Sequence, residues 1–96
     1  MSEKIEVENV NTPGRTTRVD RAKYQAARTA LLAVLPGTGP GMTPAEAQAQ
    51  MVAHLPQDLF PGGEKVGWWM KCVQLDLEAK GLVARAPKAP VRLHRV

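Results

Sequence analysis

Residues 64–80, which read EKVGWWMKCVQLDLEAK, carry the most informative pattern in the sequence. The apolar residues of this stretch recur at the three- and four-residue spacing of a helix face, and Gly67 is its one potential breaker. That face carries Val66, Trp69, Met70, Val73 and Leu77, and the opposite face carries Glu64, Trp68, Lys71, Leu75 and Glu78. The pattern predicts an amphipathic helix with one buried side, ended by Gly81 in a left-handed cap.

Two further helices are predicted upstream of this stretch. The first begins at Asp20, whose carboxylate can cap free backbone N–H groups, and ends at Pro36-Gly37. Its apolar stripe consists of Tyr24, Ala27, Leu31 and Leu35. The second begins at Thr43-Pro44-Ala45-Glu46, a capping box with proline at the first helical position. This helix is expected to reach His54 and to be closed by Pro56.

Short β-competent segments flank the helices on both sides. Residues 82–85 and 91–94 are joined by a proline-containing turn at 86–90, which predicts a hairpin. Near the N-terminus, residues 5–8 alternate apolar and acidic side chains, as a half-exposed strand does. We interpret residues 1–18 as an arm that is either loose or laid along the domain as an extra strand.

These elements together predict an α+β fold, mainly α, with three helices followed by a C-terminal β-hairpin over residues 19–96. The run Leu-Glu-Ala-Lys-Gly-Leu-Val at 77–83 resembles the end of a winged-helix recognition helix as it enters its wing. The chain is thus similar to the winged helix-turn-helix superfamily. That resemblance implies a bacterial regulator that binds DNA or docks to protein.

Two other resemblances rest on shorter motifs. Val66-Gly67-Trp68 and Lys80-Gly81-Leu82 resemble elements in the N-terminal domains of some restriction-system proteins. The whole chain looks like a member of a small bacterial family of unknown function. The motifs that carry this resemblance are Leu59-Phe60-Pro61-Gly62-Gly63, Trp68-Trp69 and residues 74–81. The second resemblance covers the whole chain and implies no activity.

The residue inventory argues against an enzyme, a metalloprotein or a cofactor protein. His54, Cys72 and His94 are the only imidazole and thiol groups, and they lack the spacing of zinc ligands. Asp76 and Glu78 are two residues apart, so they point in different directions, and we expect both to be solvated. A single cysteine excludes an internal disulfide and favours a reducing compartment. With no apolar run of membrane-spanning length, we expect a cytoplasmic protein that binds no cofactor and no evident small molecule.

The charge distribution favours contact with nucleic acid. Residues 61–96 hold seven bases against three acids, which accounts for the formal net charge of +4. Lys65 and Lys71 lie off the core face of the third helix, and Gln74 could pair with adenine. The predicted wing carries Arg85, Lys88, Arg92 and Arg95, which could contact phosphates of double-stranded DNA. A solvated, mildly basic helix would carry the same residues.

Trp68 and Leu75 indicate a different function. They are seven residues apart on the outward helix face, and an exposed tryptophan beside a leucine is typical of a protein interface. The N-terminal arm, a second copy in a homodimer, or a different partner could cover them. The alternative to a DNA-binding domain is therefore a protein-interaction module that uses Trp68, Lys71 and Leu75.

Overall fold

The computed structural model describes residues 3–38, 41–86 and 91–96, which form three α-helices and two small antiparallel hairpins. The N-terminal hairpin leads into the helices, and the C-terminal hairpin follows them. In chain order the elements are β1 (Lys4–Glu8), β2 (Thr16–Asp20), α1 (Arg21–Val34), α2 (Pro44–Met51), α3 (Val66–Ala79), β3 (Val83–Arg85) and β4 (Leu93–Arg95). Short 3-10 turns at Val52–His54 and Pro61–Gly63 lie between α2 and α3.

The caps predicted for α1 and α2 are confirmed. The Asp20 carboxylate accepts a 2.9 Å hydrogen bond from the Lys23 N–H, so α1 begins one residue later. At α2, the Thr43 hydroxyl accepts from the Glu46 N–H and the Glu46 carboxylate accepts from the Thr43 N–H. The α-helix ends at Met51 and the predicted continuation to His54 is a 3-10 turn. Both starts depend on contacts within four residues, which a sequence can specify.

Helix α3 buries the face that the spacing predicts. Val66, Trp69, Met70, Val73 and Leu77 all belong to the core, which also takes in the apolar stripes of α1 and α2. Gly81 adopts a left-handed conformation, with φ of 76°. The Gly81 N–H bonds to the Glu78 carbonyl and the Leu82 N–H to the Leu77 carbonyl, which is the Schellman cap.

The C-terminal hairpin is confirmed, with β3 antiparallel to β4 and Val83 opposite Arg95. It is anchored to the loop before α2, because Met42 and Leu93 exchange backbone hydrogen bonds of 2.9 and 2.7 Å. Gly41 allows this close approach, since a Cβ there would lie 2.2 Å from the Leu93 carbonyl oxygen. The turn of the hairpin, with Lys88, lies outside the described residues.

The N-terminal region differs from the prediction, because it is a hairpin rather than a loose arm or a single added strand. β1 pairs antiparallel with β2, with Ile5 opposite Val19 and Val7 opposite Thr17. Val7 and Val19 are buried in the same core as the helices. The order of elements is therefore β-β-α-α-α-β-β, with strands before the helices as well as after them. Within the described residues, no helix has the length and apolarity needed to cross a membrane.

Candidate functional site

A groove runs between the outer face of α3 and the inner face of the N-terminal hairpin. It encloses about 230 Å³. Its walls are Val7, Glu8, Asn9, Thr17 and Val19 from the hairpin and Trp68, Lys71, Cys72 and Leu75 from α3. We call this the Trp68 groove. The structure thus brings both predicted interface residues, Trp68 and Leu75, to one surface together with Lys71.

Trp68 is the most prominent side chain at this surface. It is 57% exposed, although its ring packs edge-to-face on Trp69 with the centroids 4.9 Å apart. Trp69 is buried and makes a second edge-to-face contact with Phe60, at 6.2 Å. Such pairs hold aromatic rings in preferred relative orientations. Trp68 is therefore attached to the core along one edge and presents the rest of its indole to solvent.

Lysines surround the exposed indole. Lys71 lines the Trp68 groove, and Lys23 and Lys65 line a second cavity on another side of Trp68, of about 450 Å³. Among the described residues, none of these three lysines makes an ion pair. Glu8 is the one acidic residue that lines either cavity. The surroundings of Trp68 are consequently apolar at the centre and positively charged at the rim.

Cys72 lies in the wall of the groove but is poorly suited to nucleophilic chemistry. Burial, assisted by the nearby Asp76 carboxylate, raises the pKa of Cys72 to about 11. The thiol therefore stays protonated at neutral pH, and the thiolate is the reactive form of cysteine. Within the described residues, no group of three His, Cys, Asp or Glu side chains could hold a metal ion.

Asp76 fixes the hairpin against α3, and the prediction that it is solvated was wrong. The residue is 0% exposed. Its carboxylate accepts from the Glu8 N–H at 2.8 Å, from the Tyr24 hydroxyl and from the Lys80 ammonium at 2.8 Å. Burial and the hydrogen bond to Asp76 raise the pKa of Tyr24 well above its usual value. One carboxylate thus ties together β1, α1 and α3.

A second contact places the hairpin over part of the outer face of α3. The Val10 N–H donates to the Leu75 carbonyl at 3.3 Å, and Leu75 is half-buried beside the hairpin. Trp68, two helical turns earlier, remains open. The alternative in which the N-terminal region covers both residues therefore holds only in part.

Glu78 and Gln74 are also inside rather than in solvent. The Glu78 side chain is 8% exposed and accepts two 3.0 Å hydrogen bonds from the Arg85 guanidinium. Gln74 is 1% exposed and donates to Glu78 at 3.1 Å. The expectation that Glu78 is solvated was wrong. Gln74, assigned from sequence to base reading, has no access to a nucleobase in this structure.

The other residues predicted to contact DNA are divided between two places. Lys71 on α3 and Lys65 just before it are both exposed beside Trp68. The sequence predicted a helix that includes Lys65, but Lys65 is the left-handed N-cap residue, with φ of 57°, and α3 begins at Val66. On the C-terminal hairpin, Arg95 donates from Nε to the Leu35 carbonyl at 3.0 Å, and Arg92 is partly buried and lies near Glu46. Arg85 and Arg95 are thus both engaged by their own chain.

Several residues of the groove were not predicted from the sequence. The hairpin wall, with Val7, Thr17 and Val19, depends on the pairing of β1 with β2. Lys23 follows the α1 cap and carries no signal that it would approach Trp68 across the fold. The alternation at residues 5–8 was the one sequence signal that indicated a buried side for Val7.

Comparison with known proteins gives a family without a function. A family model described as "Family of unknown function (DUF6958)" matches residues 4–93, which include the N-terminal hairpin, all three helices and β3. No curated protein and no solved structure shows significant similarity to the chain.

Proposed function

The chain belongs to the family of unknown function DUF6958, and we propose that it is a protein-interaction module that binds an acidic segment of a partner protein in the Trp68 groove. One observation carries this proposal. A tryptophan that is 57% exposed stands at the edge of an apolar groove and packs on the buried ring of Trp69. Tryptophan is enriched among the residues that dominate binding energy at protein interfaces.

The energy available at this tryptophan is sufficient for a specific contact. A tryptophan side chain buries roughly 150–250 Å² when fully covered, so its exposed part offers on the order of 100 Å². At about 25 cal/mol per Å², covering it contributes roughly 2–3 kcal/mol. Since the ring already packs on Trp69, little further side-chain freedom is lost on binding. Trp68 can therefore act as a preformed anchor.

The rim determines what kind of partner suits the groove. Lys71 in the groove and Lys23 and Lys65 in the adjoining cavity outnumber the one acidic lining residue, Glu8. They favour a segment with Asp or Glu near the residue that covers Trp68. A homodimer through the same face would bring the lysines of two copies together, and like charges at an interface are unfavourable. The charge therefore supports a different, acidic protein as the partner.

The prediction of a winged helix that binds DNA has less support than the protein-interaction module. In that mode the outer face of α3 would enter the major groove, but the N-terminal hairpin occupies part of this face. Gln74 is buried, and Arg85 and Arg95 bond to their own chain. Of the predicted contacts that lie among the described residues, Lys65, Lys71 and Arg92 are left to contact phosphates.

The proposal is tested with a displayed library of random dodecapeptides selected on the wild-type protein. We expect enriched peptides that combine acidic with apolar residues, and Trp68→Ala should weaken their binding by about tenfold or more. Val52→Ala is the matched control, because Val52 is an exposed apolar residue that does not line the groove. Peptides that bind equally well to Trp68→Ala would contradict the proposal. Steeply salt-dependent binding of a labelled random duplex, without such peptides, would favour DNA.

A further inference from the structure

The N-terminal hairpin has two outer edges, and within residues 3–38, 41–86 and 91–96 only the edge of β1 has backbone hydrogen bonds to α3. The edge of β1 faces α3, where the Glu8 N–H bonds to the Asp76 carboxylate and the Val10 N–H bonds to the Leu75 carbonyl. β2 pairs with β1 on one side and with no other strand among the described residues. At Thr16 and Arg18, the other edge of β2 is thus available for backbone pairing.

The register identifies which groups β2 presents at that edge. In an antiparallel ladder, residues alternate between those that bond to the partner strand and those whose N–H and C=O point outward. The Glu8 N–H points outward, to Asp76, and Glu8 lies opposite Thr16. Thr16 therefore points its own N–H and C=O away from β1, and so does Arg18, which lies opposite Glu6 two residues along.

The open edge borders the Trp68 groove. Thr17 and Val19, which alternate with Arg18 along β2, line the groove from the hairpin side, and Trp68 and Lys71 line it from α3. A strand added to β2 would direct every second side chain into the groove, because side chains alternate between the two faces of a sheet. Backbone pairing and side-chain insertion can thus occur together.

From this arrangement we infer that the partner segment binds in an extended conformation as a third strand on β2. An apolar side chain of the segment covers Trp68, and its acidic side chains face Lys65 and Lys71. This inference rests on the proposed function and specifies its mode. Soluble proteins commonly protect exposed strand edges with charge, and Arg18 on this edge already pairs with Glu6 of β1 at 4.0 Å. The preference for an acidic strand therefore rests on Lys65 and Lys71.

Backbone pairing is tested by removing one N–H from the open edge. Arg18→Pro deletes the outward N–H and leaves the ladder to β1 intact, because that N–H does not bond to β1. Arg18→Ala is the matched control, since it removes the same side chain and keeps the N–H. With the selected dodecapeptides as probes, we expect Arg18→Pro to bind about tenfold more weakly than Arg18→Ala. Circular dichroism checks that both variants are folded.

A second measurement applies even if Arg18→Pro fails to fold. Single N-methylation is scanned along one selected peptide against the wild-type protein, and loss of binding should alternate with a period of two residues. Equal binding by the two Arg18 variants, or an N-methyl scan without alternation, would overturn strand addition. If binding still requires Trp68 in that case, the groove remains the docking site. If it does not, the proposed function itself fails.

Discussion

Replacing Asp76 with alanine is expected to destabilise the fold far more than removing a surface carboxylate. Asp76 is 0% exposed, and its carboxylate accepts from the Tyr24 hydroxyl, the Glu8 N–H and the Lys80 ammonium. Lys80 is partly exposed and can be rehydrated when its partner is lost. The Tyr24 hydroxyl is buried and cannot be rehydrated in the same way. The cost therefore comes mainly from Tyr24 and Glu8.

The size of the effect follows from those two donors. A buried donor left without an acceptor costs roughly 1–3 kcal/mol, and a hydrogen bond to a charged group contributes about 1.5–3 kcal/mol. Together they give about 3–4 kcal/mol for Asp76→Ala, within the roughly 3–5 kcal/mol found when one partner of a buried ionic contact is removed. Domains of this size unfold at about 5–15 kcal/mol, so the variant should be close to the limit of folding.

The assay is urea unfolding followed by tryptophan fluorescence. Asp76→Ala should lower the midpoint by about 2 M, taking a slope near 1.5–2 kcal/mol per M. Asp58→Ala, at an exposed carboxylate, is the control and should stay within about 0.5 kcal/mol of wild type. Tyr24→Phe should cost less alone, and its effect should not add to that of Asp76→Ala. A loss below about 1 kcal/mol for Asp76→Ala would mean that this carboxylate does not hold the buried Tyr24 and Glu8 donors.

Three further outcomes are expected for stability. In urea unfolding, Gly41→Ala should cost about 3 kcal/mol or more, because its φ is 96° and a Cβ there would clash with the Leu93 backbone. Gly14→Ala should cost only about 1–2 kcal/mol, because its φ is also positive but the space around it is open. Trp69→Ala should cost roughly 3–5 kcal/mol, and Trp68→Ala less than about 1 kcal/mol, since Trp69 is buried and Trp68 exposed. Burial raises the pKa of Cys72 from 9.0 to about 11, so the unfolded chain loses this proton first and the free energy of unfolding should fall between those pH values. Cys72→Ser should show a smaller fall in pH-dependent unfolding.

Each of these outcomes has a result that would count against it. Equal losses for the two glycine variants would mean that the loop before α2 does not approach β4 closely. Similar losses for the two tryptophan variants would mean that both rings are buried or both exposed. A pH profile above 9.0 that is unchanged by Cys72→Ser would mean that the Cys72 thiol is not desolvated in the folded chain.

The helices were predictable because their determinants are local. The cap at Asp20 and the capping box at Thr43 and Glu46 need only residues within one turn. The buried apolar face of α3 follows from the spacing, and the left-handed cap follows from the glycine at position 81. In each case the residues that form the pattern lie in the same short segment as the contacts that stabilise the helix.

The N-terminal hairpin and the polar core were not predictable in the same way. β2 contains one apolar residue, Val19, so its sequence shows no alternation, and its strand conformation comes from pairing with β1. The burial of Asp76 depends on Glu8 and Tyr24, which are 68 and 52 residues away in sequence. A pair of acids on a helix gives no indication of such partners. The same long-range packing forms the hairpin wall of the Trp68 groove.

An NMR titration shows directly whether the Trp68 groove is the docking surface. A selected dodecapeptide is added to the isotope-labelled protein, and shifts are followed at every backbone amide and at both indole N–H groups. We expect the largest changes at the Trp68 indole and at Thr17, Val19 and Lys71, which line the groove. Changes concentrated around Arg92 and the C-terminal hairpin, with the Trp68 indole unmoved, would contradict the account.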